Sequence, residues 1–167
     1  MTSQAHFRGL ERAYVAAPVT RWMGTRAEVS DGRATVHVEI DPRFHHVAGA
    51  VHGSLYFRML DDAAFFAANS RETEVLLLTA SFHLDLFRPV VDGTLRAEGR
   101  VVNESRRVIT AEAELFDETG SLLARGSGSF MQSGFRLADA KGYLQTEATP
   151  DVGAERTRPG DARDGGG

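Results

Sequence analysis

The chain has 167 residues, 42% of them hydrophobic, which is enough for one domain with its own core. A formal net charge of −4 and scattered arginines argue against nucleic acid as a partner. The absence of cysteine excludes disulfides, thiolate metal sites and a cysteine nucleophile.

Nothing in the sequence predicts export or insertion into a membrane. The first twenty residues carry Arg8, Glu11 and Arg12 and lack an apolar core of signal-peptide length. No run of about eighteen apolar residues occurs anywhere in the chain. We therefore expect a cytoplasmic protein with no membrane partner.

The N-terminal residues 1–20 predict one packing helix. Its apolar side chains recur at helical spacing, with Ser3 as the cap and Pro18 as the stop. These side chains are Phe7, Leu10 and Tyr14. Alternation then predicts strands at 23–30 and 33–40, joined by a tight turn at Asp31-Gly32.

Residues 52–68 predict a long helix that is hydrophobic on every side. Such a helix belongs in the middle of a protein, so the rest of the chain must wrap it. It carries few charged residues, namely Arg58, Asp61 and Asp62. Burying them destabilises the fold unless they are paired, so each is expected to have a partner or a chemical role.

After this helix the pattern returns to a period of two residues. It predicts four strands joined by turns, at 75–87, 94–102, 107–116 and 121–131. The composition of residues 137–167 predicts a disordered tail. The main domain is thus expected at 21–136, as an α+β fold in which an antiparallel sheet of five to six strands wraps one central helix.

Several short motifs resemble the hot-dog acyl-CoA thioesterases of the phenylacetate-degradation type, in the 4-hydroxybenzoyl-CoA thioesterase superfamily. They are His52-Gly53-Ser54, Leu60-Asp61, the stretch from Phe82 to Pro89, Arg106-Arg107-Val108 and Asp117-Glu118-Thr119-Gly120. The resemblance covers roughly residues 20–132. It departs from the family at Ser54, where a second glycine is usual, and at His46, where an asparagine is common.

The resemblance implies a catalytic set of Asp61, Gly53 and His46. Gly53 would open the helix, where free N–H groups can hold an oxyanion, although a glycine that merely fits a tight turn is the structural alternative. Asp61 would take a proton from the attacking water. Arg58 lies three residues before Asp61 and four before Asp62, so either could be its ion-pair partner, and we expect Asp62 to be that partner.

The same resemblance suggests substrate-binding residues at the helix entry and at strand ends. They are His52, Ser54, Thr79, Arg88, Arg106 and Arg107. The arginines could meet coenzyme A phosphates or could simply be solvated, and Thr79 could be an ordinary strand residue. The histidines near the helix entry lack the spacing of a metal motif, so we expect no metal and no cofactor other than the coenzyme A of the substrate.

The sequence thus favours hydrolysis of an acyl-CoA thioester. Two alternatives stay open, namely a non-catalytic acyl-CoA-binding or sensing domain and an enoyl-CoA hydratase-type enzyme. One sheet around one helix leaves an edge strand that needs cover, so we expect a homodimer or a dimer of dimers.

Overall fold

A computed structural model describes residues 2–145, and its elements follow the predicted order. Two N-terminal helices, α1 (Ser3–Ala16) and α2 (Pro18–Met23), precede the strands β1 (Arg26–Ser30) and β2 (Arg33–Glu39). The central helix is α3 (Gly53–Asn69). The remaining strands are β3 (Val75–Leu86), β4 (Thr94–Glu104), β5 (Val108–Phe116) and β6 (Leu122–Arg136). Short 3-10 helices span Pro42–Phe44 and Leu137–Asp139.

The six strands form one antiparallel sheet that curves around α3. Their order is β1-β2-β4-β5-β6-β3, so β1 and β3 are the edge strands. α3 contacts every one of the six strands. The predicted hot-dog architecture, a sheet wrapped around one long helix, is confirmed.

Alanine and glycine allow α3 to approach the sheet closely. Ala63, Ala64 and Ala67 have no exposed surface, and Ala97 and Ala111 on the sheet are equally buried. At Gly99 in β4, a Cβ atom would collide with the backbone carbonyl of Ala63. α3 is apolar on most sides, yet no helix within residues 2–145 is long and apolar enough to cross a membrane.

The N-terminal prediction was wrong in three details. Thr2, rather than Ser3, caps α1, because its hydroxyl accepts the Ala5 N–H at 3.3 Å. Pro18 stops α1 but also begins a second helix, as proline can at a first helical position. Met23 belongs to that second helix, which ends at Gly24 with φ of 71°, so β1 starts later than predicted.

The C-terminal boundary also differs from the predicted tail at 137–167. β6 continues to Arg136, and beyond it Leu137 and Tyr143 are buried. The Tyr143 hydroxyl lies 2.6 Å from Nδ1 of the buried His6, whose Nε2 lies 3.0 Å from the Asn69 carbonyl at the end of α3. Residues 137–145 therefore pack on α1, and the rest of the predicted tail, 146–167, lies outside the described residues.

We predict that Gly99→Ala destabilises the fold by about 1 to 3 kcal/mol or more, because the added methyl group displaces α3 from the sheet. Gly134→Ala is the matched control, since it lies on the same sheet and a Cβ there meets no atom within 4 Å. Urea unfolding of both variants measures the difference. Equal stabilities would contradict the close contact at Gly99.

Candidate functional site

The entry to α3 is organised by His52. Its backbone is extended, and its Nδ1 accepts the Ser54 N–H at 3.1 Å, which makes it the N-cap of the helix. The Ser54 hydroxyl lies 2.8 Å from the same nitrogen. Both predicted binding residues are therefore engaged with each other at the helix start, where Ser54 replaces the glycine usual in the family motif.

Gly53 is the first residue of α3 and borders a pocket of about 330 Å³. The first N–H groups of a helix have no partner within the helix and carry its positive dipole end. His46 lines the same pocket, and its Nδ1 accepts the Ala48 N–H at 3.0 Å. Nε2 of a neutral His46 is then the N–H donor. The pocket thus gathers hydrogen-bond donors suited to a negative oxygen.

The end of β3 forms the opposite wall of this pocket. Leu86, Phe87, Arg88 and Pro89 line it, with Arg88 exposed. The Tyr56 hydroxyl donates to the Arg88 carbonyl at 3.0 Å and ties this segment to α3. Sequence reasoning missed the role of Tyr56, although its position one turn after Gly53 is a signal that could have revealed it.

Asp61 is half-buried on α3 and is held by Thr79. The Thr79 hydroxyl donates to Oδ1 of Asp61 at 2.9 Å. Burial raises the pKa of Asp61, while the Thr79 hydrogen bond opposes that rise by favouring the ionised form. The structure therefore brings together two of the predicted site residues and fixes the direction of the carboxylate.

Asp62 has a different environment, which confirms the predicted ion pair with Arg58. Nε of Arg58 donates to Oδ2 of Asp62, and the Tyr14 hydroxyl donates to the same oxygen at 2.7 Å. Arg58 also donates to Thr20 in α2 at 3.1 Å. These contacts bind α3 to the N-terminal helices. Asp61, by contrast, has no ion-pair partner in the described part of the chain.

One chain does not bring all predicted site residues together. Gly53 and Asp61 are eight residues apart on one helix, which is about 12 Å. Arg106 and Arg107 precede β5. Val108 of β5 and Leu78 of β3 both pair with Met131 of β6, so the start of β5 is level with the first part of β3. Arg88 follows the far end of β3, so these arginines lie about 25 Å or more from it along the strands. Within one chain the predicted site residues therefore lie in separate places.

Known proteins of similar sequence and fold indicate the class of protein. Residues 48–124 match the model of the Thioesterase superfamily. A solved structure of a mutant of the phenylacetic acid degradation protein PaaI from Thermus thermophilus is similar to this chain, with 28% sequence identity and a TM-score of 0.64. The match covers 70% of this chain and 100% of the PaaI chain. A candidate esterase from Sulfurisphaera tokodaii is 26% identical over 109 residues, which are 65% of this chain and 81% of the relative.

A further solved structure supports the fold. The Escherichia coli PaaI protein from the phenylacetic acid degradation operon has a TM-score of 0.74 and 18% identity, and covers 81% of this chain and 99% of its own. The fold is that of a hot-dog protein, and the stretch that matches the family model contains the central helix and most of the sheet. Among these similar proteins, those of the PaaI type recur. The similarity supports a hydrolase that acts on thioesters in general.

We predict that Asp61 titrates above 3.8, the usual pKa of an aspartate, and that Thr79→Val raises this pKa further by removing the hydrogen bond to the ionised form. Since the folded-state pKa is raised, ionising Asp61 costs stability as the pH rises through that pKa. Carbon NMR titration of the carboxylates measures both effects.

Asp117 is the control for this titration. Hydrogen bonds from Thr119 and Ser121 lower its pKa, and Thr79→Val should leave it unchanged. An Asp61 carboxylate that titrates at or below the usual value would contradict the arrangement described above.

Proposed function

We propose that this protein hydrolyses an acyl-CoA thioester to the free acid and coenzyme A. The observation that carries the proposal is the Asp61 carboxylate, which is half-buried, oriented by Thr79 and without an ion-pair partner among residues 2–145. In the proposed reaction Asp61 accepts a proton from water as the water oxygen bonds to the thioester carbon. The carbon–sulfur bond then breaks, and the departing thiolate takes up the proton.

The pocket at Gly53 is the proposed oxyanion site. Negative charge develops on the carbonyl oxygen during the attack, and preorganised N–H donors stabilise it. The N–H groups of Ser54 and Leu55 already donate to His52, so the proposed donors are the Gly53 N–H and Nε2 of His46. His52 and Ser54 then serve the site indirectly, by fixing the first turn of the helix.

The proposed site needs a second copy of the chain. The Gly53 donors and the Asp61 carboxylate are about 12 Å apart on one helix, which is too far for both to contact one thioester carbon. Among residues 2–145, β3 pairs only with β6, so one edge of this twelve-residue strand has no partner in the described part of the chain. Leu78 and Leu86 on β3 are half exposed. Pairing of two β3 edges would cover this surface and bring Asp61 of one copy towards Gly53 of the other.

Coenzyme A enters the proposal as part of the substrate. Arg88 borders the Gly53 pocket and is the proposed phosphate contact there, because a guanidinium pairs strongly with phosphate oxygens. Arg106 and Arg107 lie too far along the sheet to join Arg88 in one chain, so they contribute to the site only from a second copy. The proposal needs no metal and no separate cofactor.

We predict that Asp61→Asn keeps the fold and lowers kcat by about a hundredfold or more, with KM little changed, because binding and proton abstraction are separable. Free thiol released from a panel of acyl-CoAs measures turnover, and Tm measures the fold. Turnover near that of the parent protein would reject the role given to Asp61.

Asp62→Asn is the matched control for Asp61→Asn. It should lower stability by about 1 to 3 kcal/mol through the lost contacts with Arg58 and Tyr14, with much smaller effects on turnover. If Asp62→Asn abolished turnover without lowering Tm, the two roles would have to be exchanged.

The same assay separates the alternatives. A binding or sensing domain would bind acyl-CoA without releasing thiol, and the changes at Ser54 and His46 are the features that favour it. A hydratase would consume the double bond of an enoyl-CoA and release no thiol.

We also predict that the active species is a homodimer or a dimer of dimers. Multi-angle light scattering on the active fraction gives its mass. A lysine at an exposed position of the β3 edge, Leu78→Lys, should shift the protein towards monomer and reduce turnover with it. A fully active monomer would contradict the site shared between two copies.

A further inference from the structure

A groove of about 380 Å³ lies beside α3, outside the Gly53 pocket. α1 and α2 cover it, residues 137–141 close one side, and the ends of β3 and β6 form the floor. We call it the side groove. Its apolar lining includes Leu10, Ala13, Phe65, Leu76, Phe135 and Leu137. The volume falls within the range of small-molecule pockets.

The polar residues of the side groove already have partners inside the protein. Arg58 and Asp62 pair with each other, and both bond to hydroxyls of the N-terminal helices. Within residues 2–145 no buried side-chain nitrogen or oxygen lacks a hydrogen-bond partner. Lys141 lies at the rim and is exposed. A ligand in the groove therefore meets hydrocarbon surface and finds no vacant polar group in its interior.

The side groove lies one helical turn from Asp61. Phe65, which lines the groove, is four residues after Asp61 on α3. The two side chains therefore point in directions about 40° apart, one turn from each other along the helix. On the sheet, Leu76 lies three residues before Thr79, about 10 Å along β3. Phe135, which is 47% exposed, leaves the groove open towards solvent.

We infer that the side groove receives the acyl chain of the thioester substrate, and that this chain is a linear, apolar hydrocarbon. This inference rests on the proposed hydrolysis at Asp61. The thioester carbon lies beside Asp61, and the chain runs past Phe65 into the groove. Each methylene that enters an apolar pocket changes specificity about tenfold or more. The groove thus selects longer apolar acyl groups over short ones.

Two substitutions fill the side groove from opposite walls, Ala13→Phe in α1 and Ala140→Phe after the second 3-10 helix. Their matched controls are Ala5→Phe and Ala138→Phe, which lie on the same two segments, are exposed and are not part of the groove. Each filling variant should lower kcat/KM for decanoyl-CoA at least tenfold and change it less than twofold for butanoyl-CoA. The controls should leave both values unchanged.

Two results would overturn the inference. One is an equal loss of kcat/KM for both substrates. The other is no loss of kcat/KM in a filling variant whose Tm equals that of the parent protein. A parent protein that hydrolyses acyl-CoAs but does not prefer decanoyl-CoA over butanoyl-CoA would overturn it as well, and would leave the proposed hydrolysis intact.

A binding measurement tests the groove without turnover. The fluorescent fatty acid cis-parinaric acid accepts energy from tryptophan, and the chain has one tryptophan, Trp22, in α2 beside the groove. The parent protein should show energy transfer, and Ala13→Phe should reduce the affinity at least tenfold while Ala5→Phe retains it. Transfer without thiol release from any acyl-CoA would reject the hydrolysis alone. No difference between the two variants would reject the groove alone.

Discussion

The distance between α3 and the sheet is the constraint on which the rest of this structure depends. The helix can be buried on several sides because alanines face the strands and because Gly99 leaves room for the Ala63 carbonyl. A larger residue at that contact would lift the helix and move every side chain it carries. The positions of Asp61 against Thr79 and of Gly53 against the end of β3 both follow from this contact.

Different sides of α3 have different roles. One side packs on the sheet, a second carries Asp61, and a third carries the Arg58–Asp62 pair that holds α1 and α2. Neighbouring residues point about 100° apart, so adjacent aspartates reach different surroundings. This explains how two carboxylates next to each other in the chain can differ in role, with half-buried Asp61 as the catalytic candidate and Asp62 in a structural ion pair.

The sequence predicted most of the fold because the periodicities are strong. The apolar stretch at 52–68 and the alternation after it are sufficient to predict a helix wrapped by a sheet, and the spacing of Arg58 and Asp62 predicted their pair. The N-terminal details failed because a proline that stops one helix can also begin another. The packing of Tyr143 on His6 could not be predicted, since it depends on one aromatic residue in a polar segment. Nor does the sequence pattern show how far apart Gly53 and Asp61 lie, because that distance depends on the rise of the helix.

The contact between the two ends of the described chain affects the order in which the protein can fold on the ribosome. His6 is synthesised before both of its hydrogen-bond partners, Asn69 and Tyr143. Arg12 on the same helix likewise donates to the carbonyls of Gly142 and Tyr143. α1 therefore lacks part of its support until residue 143 has been synthesised. It precedes the strands in the chain, yet its packing is among the last to be completed.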